Sequence, residues 1–124
     1  EYVARKGLPT GIEDISEHDF VGYNLNDAIL QGMRQLGLDV DRHFFKTRCD
    51  QQVVHWELVR SGCGIGVTQR ALGLRDPNMV QVLSNLPMPT LPIWLTAPGA
   101  LRTNPRIRRV YDLLADAFSD MVDA

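Results

Sequence analysis

Two cysteines, three histidines and a glycine-spaced run are the residues of this chain whose types lend themselves to chemistry, and spacing decides how far each goes. Cys49 and Cys63 stand fourteen residues apart without a Cys-x-x-Cys pair, and His18, His43 and His55 follow no regular cadence. Neither a zinc site nor a redox pair is therefore expected, and no metal or cofactor. Cys63, in an apolar setting, reads as a small buried hydrophobe. Cys49 has the stronger claim to reactivity, because Arg48 and an adjoining helix start both favour a thiolate. The run "GCGIG" (62–66) has the glycines of a phosphate-binding loop but the wrong order of elements. A dinucleotide fingerprint needs strand, glycines, helix, whereas here the helix comes first. Its glycines are expected instead to end that helix at Gly62 and, at Gly64 and Gly66, to let backbone and neighbour approach closely. No nucleophile elbow, His-Glu-x-x-His or convincing acid–base pair is present, so no catalytic residue is predicted.

The remaining chemical feature is a junction. Asp50 to Gln52 open a helix directly after a strand, and an open α/β sheet presents its ligand crevice at such strand ends, where free N–H groups point outward. A simple cap at Asp50 accounts for the same residues.

The elements that must position these residues alternate. A helix ending at Gly7 is followed by a short one through about Ser16, with capping-box spacing between Thr10 and Glu13 and with Ile12 and Ile15 inward. A strand over Asp19–Asn24 leads to a helix over Asp27–Leu36, initiated by Asn26, with Ile29, Met33 and Leu36 on one face and Gly37 at its end. A second strand, His43–Arg48, precedes a helix capped by Asp50 whose broad buried stripe comprises Val53, Val54, Trp56, Leu58 and Val59. "GIGVT" is then a strand, Gln69–Leu72 a helical turn, and Met79–Leu83 and Ile93–Ala97 further strands around a proline-punctuated connector. Asn104 and Pro105 form an N-cap and first-turn pair for a last helix, in which Ile107, Val110, Tyr111, Leu114, Ala117, Phe118 and Met121 recur at three and four residues. Arg106, Arg108 and Arg109 sit at its positive end, against the macrodipole, so they either pair with acidic groups or are solvated. This alternation predicts an α/β sheet with helices on its faces.

At 124 residues the chain has room for one core. Its formal net charge of −2 and dispersed basic residues give no electrostatic footprint for nucleic acid. No apolar run approaches the roughly 18 to 20 residues that cross a bilayer, and no export signal opens the chain, so a cytoplasmic location without membrane contact is expected. The first residues, "EYVARKGLPTG", open inside a structural element, as in a piece of a longer protein.

Three segments carry a resemblance. "ELVRSGCGIGVTQ" is similar to the glycine-rich segment of the effector-binding domain of LysR-type transcriptional regulators. "LPIWLTAPGALRTNPRIRRVYDLLADAF" resembles that family's C-terminal strand and closing helix, and "EYVARKGLPTGIEDISEHDFVGYN" its helix, Gly-x-Pro turn, short helix and His-Asp before a strand. The segments occur in family order. Residues 25–42 are more helical than that family's pattern, and Thr68-Gln69 stands where Leu-Pro is usual.

The resemblance implies a type 2 periplasmic-binding-protein-like effector domain, represented mostly by its second Rossmann-like subdomain. Residues 1–90 would form that subdomain and 91–124 the return strand and C-terminal helix of the first, while the family's N-terminal winged helix-turn-helix and first half of the effector domain would lie outside this sequence. The implied function is effector sensing: a small molecule, an anion or aromatic acid, binds between the subdomains and shifts the conformation of a homo-oligomer that reaches DNA only through the N-terminal domain. Its wall on this chain would comprise Tyr23 and Asn24, Arg48, Cys49, Asp50 and Gln51, and Gly64, Ile65 and Gly66. Arg48 would offer a fork to a carboxylate and Tyr23 would line the apolar part. A periplasmic-type solute-binding protein shares this fold and is the alternative; a small α/β enzyme would need a titrating pair. If the chain is as short as this sequence, residues 93–97 and the last helix would lack the first-subdomain sheet that they cover and would bury their apolar face against a second chain.

Overall fold

The computed structural model describes residues 1–88, 90, 92–99 and 103–122. It divides into two compact units, Glu1–Asn85 and Leu86–Ala124.

The first unit begins with α1 (Tyr2–Lys6), whose last turn carries Arg5 and Lys6 at the negative dipole end. The chain leaves it through Gly7, at a φ of 82° that favours glycine. A helix of five residues has no stability of its own. Two side chains anchor it. The Tyr2 hydroxyl accepts from the Asp19 N–H (2.7 Å) and shares a hydrogen bond with His18 Nδ1 (3.1 Å), while Arg5 donates to the carbonyl of Gly62 at 2.8 Å. The short helix that follows is a 3-10 helix, Ile12–Glu17, with Ile15 buried and Ile12 half-buried. Its expected capping box is displaced by one residue. Asp14, not Glu13, takes the hydrogen bonds of Thr10, from the backbone N–H at 2.8 Å and the hydroxyl at 2.7 Å.

Two strands follow, β1 (Val21–Gly22) and β2 (Thr47–Arg48), parallel and in register as Val21 with Thr47 and Gly22 with Arg48. A parallel bridge from Phe20 to Ile65 puts a third backbone segment on the other side of β1. The strand expected over residues 64–68 contracts to that bridge, and the one over His43–Arg48 to its last two residues. Asp41 explains the second contraction. Its carboxylate accepts from the His43 N–H at 2.8 Å and starts a 3-10 turn over Arg42–Phe44, which removes those residues from the ladder.

Between the strands lies α2 (Ala28–Gln35), where the Asn26 carboxamide accepts from the Ala28 N–H. Its buried residues are Leu30 and Met33, with Ile29 and Leu36 half-buried, so the inward face is turned by about one residue from the expected one. After β2 comes α3 (Gln52–Arg60), and here the expectation fails more widely. Val53 is 76% and Val54 50% exposed, and the buried positions are His55 and Val59. His55, 1% exposed, is inward because its Nε2 donates to the carbonyl of Val21 in β1 at 3.1 Å, satisfying both groups. Fixing His55 inward carries Val53 and Val54 to the rim.

Next, α4 (Arg70–Arg75) extends the expected helical turn, and Asp76 at its end meets Arg60 Nε of α3 at 2.7 Å. No strand forms over Met79–Leu83: the Met79 N–H bonds back to Asp76, and Leu83 adopts a φ of 52° that breaks an extended run. The core of this unit joins Tyr2, Ile15, Phe20, Val21, Leu30, Met33, Val40, Phe45 and Val59.

The second unit contains α5 (Pro105–Val122), started by Asn104, whose side-chain oxygen accepts from the Arg106 N–H at 3.0 Å. Residues 93–97 form no strand with the described residues and are tied to α5 by the Tyr111 hydroxyl donating to the Leu95 carbonyl (3.1 Å). Among the described residues, no carboxylate lies within ion-pair distance of Arg106, Arg108 or Arg109.

Candidate functional site

Parallel register sends the C-terminal ends of β1, β2 and the Ile65 segment out on one side of the small sheet, and the N-terminus of α3 opens on that side. Lys46 and Asp19 mark the opposite end, with an ion pair at 2.9 Å. The hydrogen bond from Lys46 holds the Asp19 carboxyl below the usual carboxylate range, and Asp19 in turn raises Lys46.

At the C-terminal ends, β1 delivers Tyr23 and Asn24. The Tyr23 ring stacks on the buried His55 ring (centroids 4.7 Å apart, planes at 16°), and its hydroxyl donates to Gln52 Oε1 at 3.1 Å. Stacking below and a hydrogen bond at the tip leave the ring little freedom. Asp50 does not cap α3 as expected; Gln51 occupies the N-cap position with no side-chain bond. The Asp50 carboxylate instead accepts from two backbone N–H groups past the end of β1, those of Asn24 and Leu25, both at 2.8 Å. Those groups have left the ladder and need an acceptor, and an ionised oxygen is the stronger one.

The Cys49 N–H continues the β2 ladder to the Gly22 carbonyl at 3.0 Å, and its half-buried thiol lies 3.8 Å from the Gln51 carbonyl. Arg48 does not project freely: its Nη1 donates to the carbonyl of Arg42 at 3.1 Å. Arg42 donates from Nη2 to both the carbonyl (2.9 Å) and the side-chain oxygen (3.1 Å) of Asn24. The structure thus brings Tyr23, Asn24, Arg48, Cys49, Asp50 and Gln51 to one end of the sheet. It joins to them three residues outside the expected wall, Arg42, Gln52 and His55. Gln52 belongs to the helix start read from sequence. His55 has no spacing signal, and Arg42 lies eighteen residues from the group that it holds.

Gly64 is buried and Ile65 and Gly66 are half-buried, each packed against the sheet or α3. Ile65 exchanges backbone bonds with Asp19 and Val21. A Cβ on Gly64 would lie 2.5 Å from the Asp19 carbonyl oxygen, and one on Gly66 would lie 2.3 Å from Val59 Cγ2 and 3.2 Å from His55 Cε1. Only glycine admits this approach, which lets His55 sit beneath Tyr23.

Within the second unit, a hollow of about 340 Å³ beside α5 is lined by Leu95, Thr96, Arg106, Ile107, Val110, Tyr111 and Leu114. Among the described residues, no group of three or more His, Cys, Asp or Glu side chains could hold a metal ion, and no helix is long and apolar enough to cross a membrane.

No curated protein and no solved structure matches the chain. A protein-family model does: that of the LysR substrate binding domain, over residues 1–119.

Proposed function

The chain belongs to the LysR substrate binding domain family, and on that premise we propose that the strand ends carrying Tyr23, Asn24 and Arg48 to Gln51 bind the small-molecule effector of a transcriptional regulator. The family match favours this reading over a solute-binding protein of the same fold, and domains of this family belong to regulators rather than enzymes. The observation that carries the site is the convergence of three parallel backbone ends beside the start of α3, with Tyr23 held flat between His55 and Gln52. Open α/β sheets bind ligands at that edge.

The effector class that suits these residues is a small anion, an aromatic acid in particular. Tyr23 offers a face and Arg48 a cationic fork, one of whose nitrogens is engaged by the neutral carbonyl of Arg42. A carboxylate is a stronger acceptor than that carbonyl. Residues 1–90 then act as the second subdomain of a type 2 periplasmic-binding-protein-like effector domain, and 91–124 supply the return segment and closing helix of the first. Signalling follows from a difference in effector affinity between two arrangements of a homo-oligomer, with DNA contacted through an N-terminal domain of the regulator, in the cytoplasm.

Titration of the isotopically labelled chain with benzoate, followed by amide NMR shifts, tests the site. Saturable shifts at Tyr23, Asn24 and residues 48–52 are expected, weakened in Arg48→Ala. Shifts confined to other residues would overturn the assignment, and unchanged affinity in that variant would remove Arg48 from it.

A further inference from the structure

The backbone leaves the sheet at Asn24, makes the excursion that contains α2, and returns at Arg42. One guanidinium nitrogen of Arg42 closes the neck of this excursion by bonding both the carbonyl and the side-chain oxygen of Asn24. Asp50 in turn holds the Asn24 and Leu25 N–H groups. Asn24 is therefore gripped through its N–H, its carbonyl and its side chain, by residues eighteen and twenty-six positions away. Arg42 is itself fixed: Arg48 bonds its carbonyl, and Asp41 initiates the 3-10 turn in which it lies.

We propose that Arg42 is a positioning residue for the candidate site, clamping Asn24 at the neck of the α2 excursion so that the adjacent Tyr23 presents its ring in one orientation. The proposal rests on the reading of the strand ends as an effector site. Exposed side-chain bonds contribute little to global stability, so two such residues spent on one dipeptide are better explained by the geometry they impose. Arg42 carries no carboxylate partner among the described residues. Its partners are the two oxygens of Asn24. Arginine suits this task because one guanidinium nitrogen carries two N–H groups held in the plane of the side chain, enough for two acceptors in a fixed relation. Tyr23 gains from the clamp because its other restraints, His55 and Gln52, both belong to α3 and fix the ring only relative to that helix. Arg42, which lies outside α3, adds a restraint independent of that helix.

The experiment compares Arg42→Ala, Arg42→Lys and Arg34→Ala with the unaltered chain. Arg34 is the control because it also braces the excursion, donating from Nε to the Val40 carbonyl at 2.9 Å, without touching Asn24. Amide hydrogen exchange is read at Asn24 and Leu25, whose N–H groups bond Asp50 rather than Arg42. Arg42→Ala is expected to speed exchange at both by about fivefold or more. Benzoate affinity, read from the Tyr23 and Gln52 shifts, is expected to fall by about fivefold in the same variant, with the melting temperature little changed. Arg42→Lys should recover a large part of both effects and Arg34→Ala should produce neither. Unchanged exchange in Arg42→Ala overturns the proposal, as does an equal effect from Arg34→Ala. If benzoate leaves the unaltered chain's shifts in place, the effector-site reading fails, and exchange at Asn24 and Leu25 alone decides whether Arg42 is the clamp.

Discussion

The two units solve the burial problem differently. Glu1–Asn85 is built of short elements, none longer than the nine residues of α3, yet encloses a core running from Tyr2 to Val59. Leu86–Ala124 contains the eighteen-residue α5, with the plainest apolar periodicity in the chain, yet none of its described side chains is buried. Trp94 is 83% exposed, and Val110, Leu113 and Leu114 stand open as well. Periodicity specifies that a helix has a face to bury, and says nothing about what covers it. Stability in the first unit is tertiary, carried by a hydroxyl, a histidine and glycine contacts between segments distant in sequence. In the second it is mostly local, resting on the Asn104 cap and one turn-to-turn hydrogen-bond ladder, with the Tyr111–Leu95 bond as a longer-range tie.

Substitution at equivalent depth of pattern should separate the units most sharply. Phe20→Ala is expected to cost about 3–5 kcal/mol in urea unfolding, as a truncated core aromatic does. Leu114→Ala, on the open face of α5, should stay within about 0.5 kcal/mol. A comparable loss at Leu114 would show that α5 is covered in solution, as burial against a second chain would require. Glycine replacement gives the next contrast. Gly66→Ala drives a methyl into Val59 and against His55 and should cost about 1–3 kcal/mol. Gly99→Ala meets nothing within 4 Å among the described residues, and its melting temperature should match the unaltered chain.

Smaller effects are electrostatic. Arg106→Glu, which reverses a charge at the positive end of α5, is expected to stabilise that helix by about 0.3–1 kcal/mol at low salt, read as increased helical circular dichroism. The first unit should show the weakest effect, a dependence on acid. Its Asp19 carboxyl is held below the usual range by Lys46, so the stabilisation is complete above the unfolded carboxylate range and disappears as the pH falls through the lowered folded value. Asp19→Asn should flatten that part of the stability profile, and a profile unchanged by this variant would remove the ion pair as its source.

How much of this was legible in the sequence follows from the range of each signal. The helix ends at Gly7, Gly37 and Gly62 and the start at Asn104 depend on a residue and its immediate neighbours, and they appear where the sequence places them. Strand length is not local. It depends on whether a partner backbone lies alongside, and the Asp41 turn and the Leu83 kink removed partners that alternation alone could not exclude. The inward face of α3 departs from its apolar pattern, which ranks valine above histidine, because a carbonyl supplied by β1 makes His55 the satisfied buried residue. Around the candidate site, the junction from Arg48 to Gln52 was visible as strand followed by helix. The exchange of roles in which Asp50 abandons its cap for Asn24 and Leu25, and Arg42 closes on Asn24, depends on residues brought together only by folding.

The bond from Arg5 to the Gly62 carbonyl joins positions 57 apart in the chain. A contact of that span can form only after the intervening strands and α3 have met, because closing so long a loop costs entropy that no local bond repays. Helix α1 therefore leaves the ribosome ahead of α3 and the turn at Gly62, and until Gly62 has been synthesised Arg5 has no carbonyl to dock on.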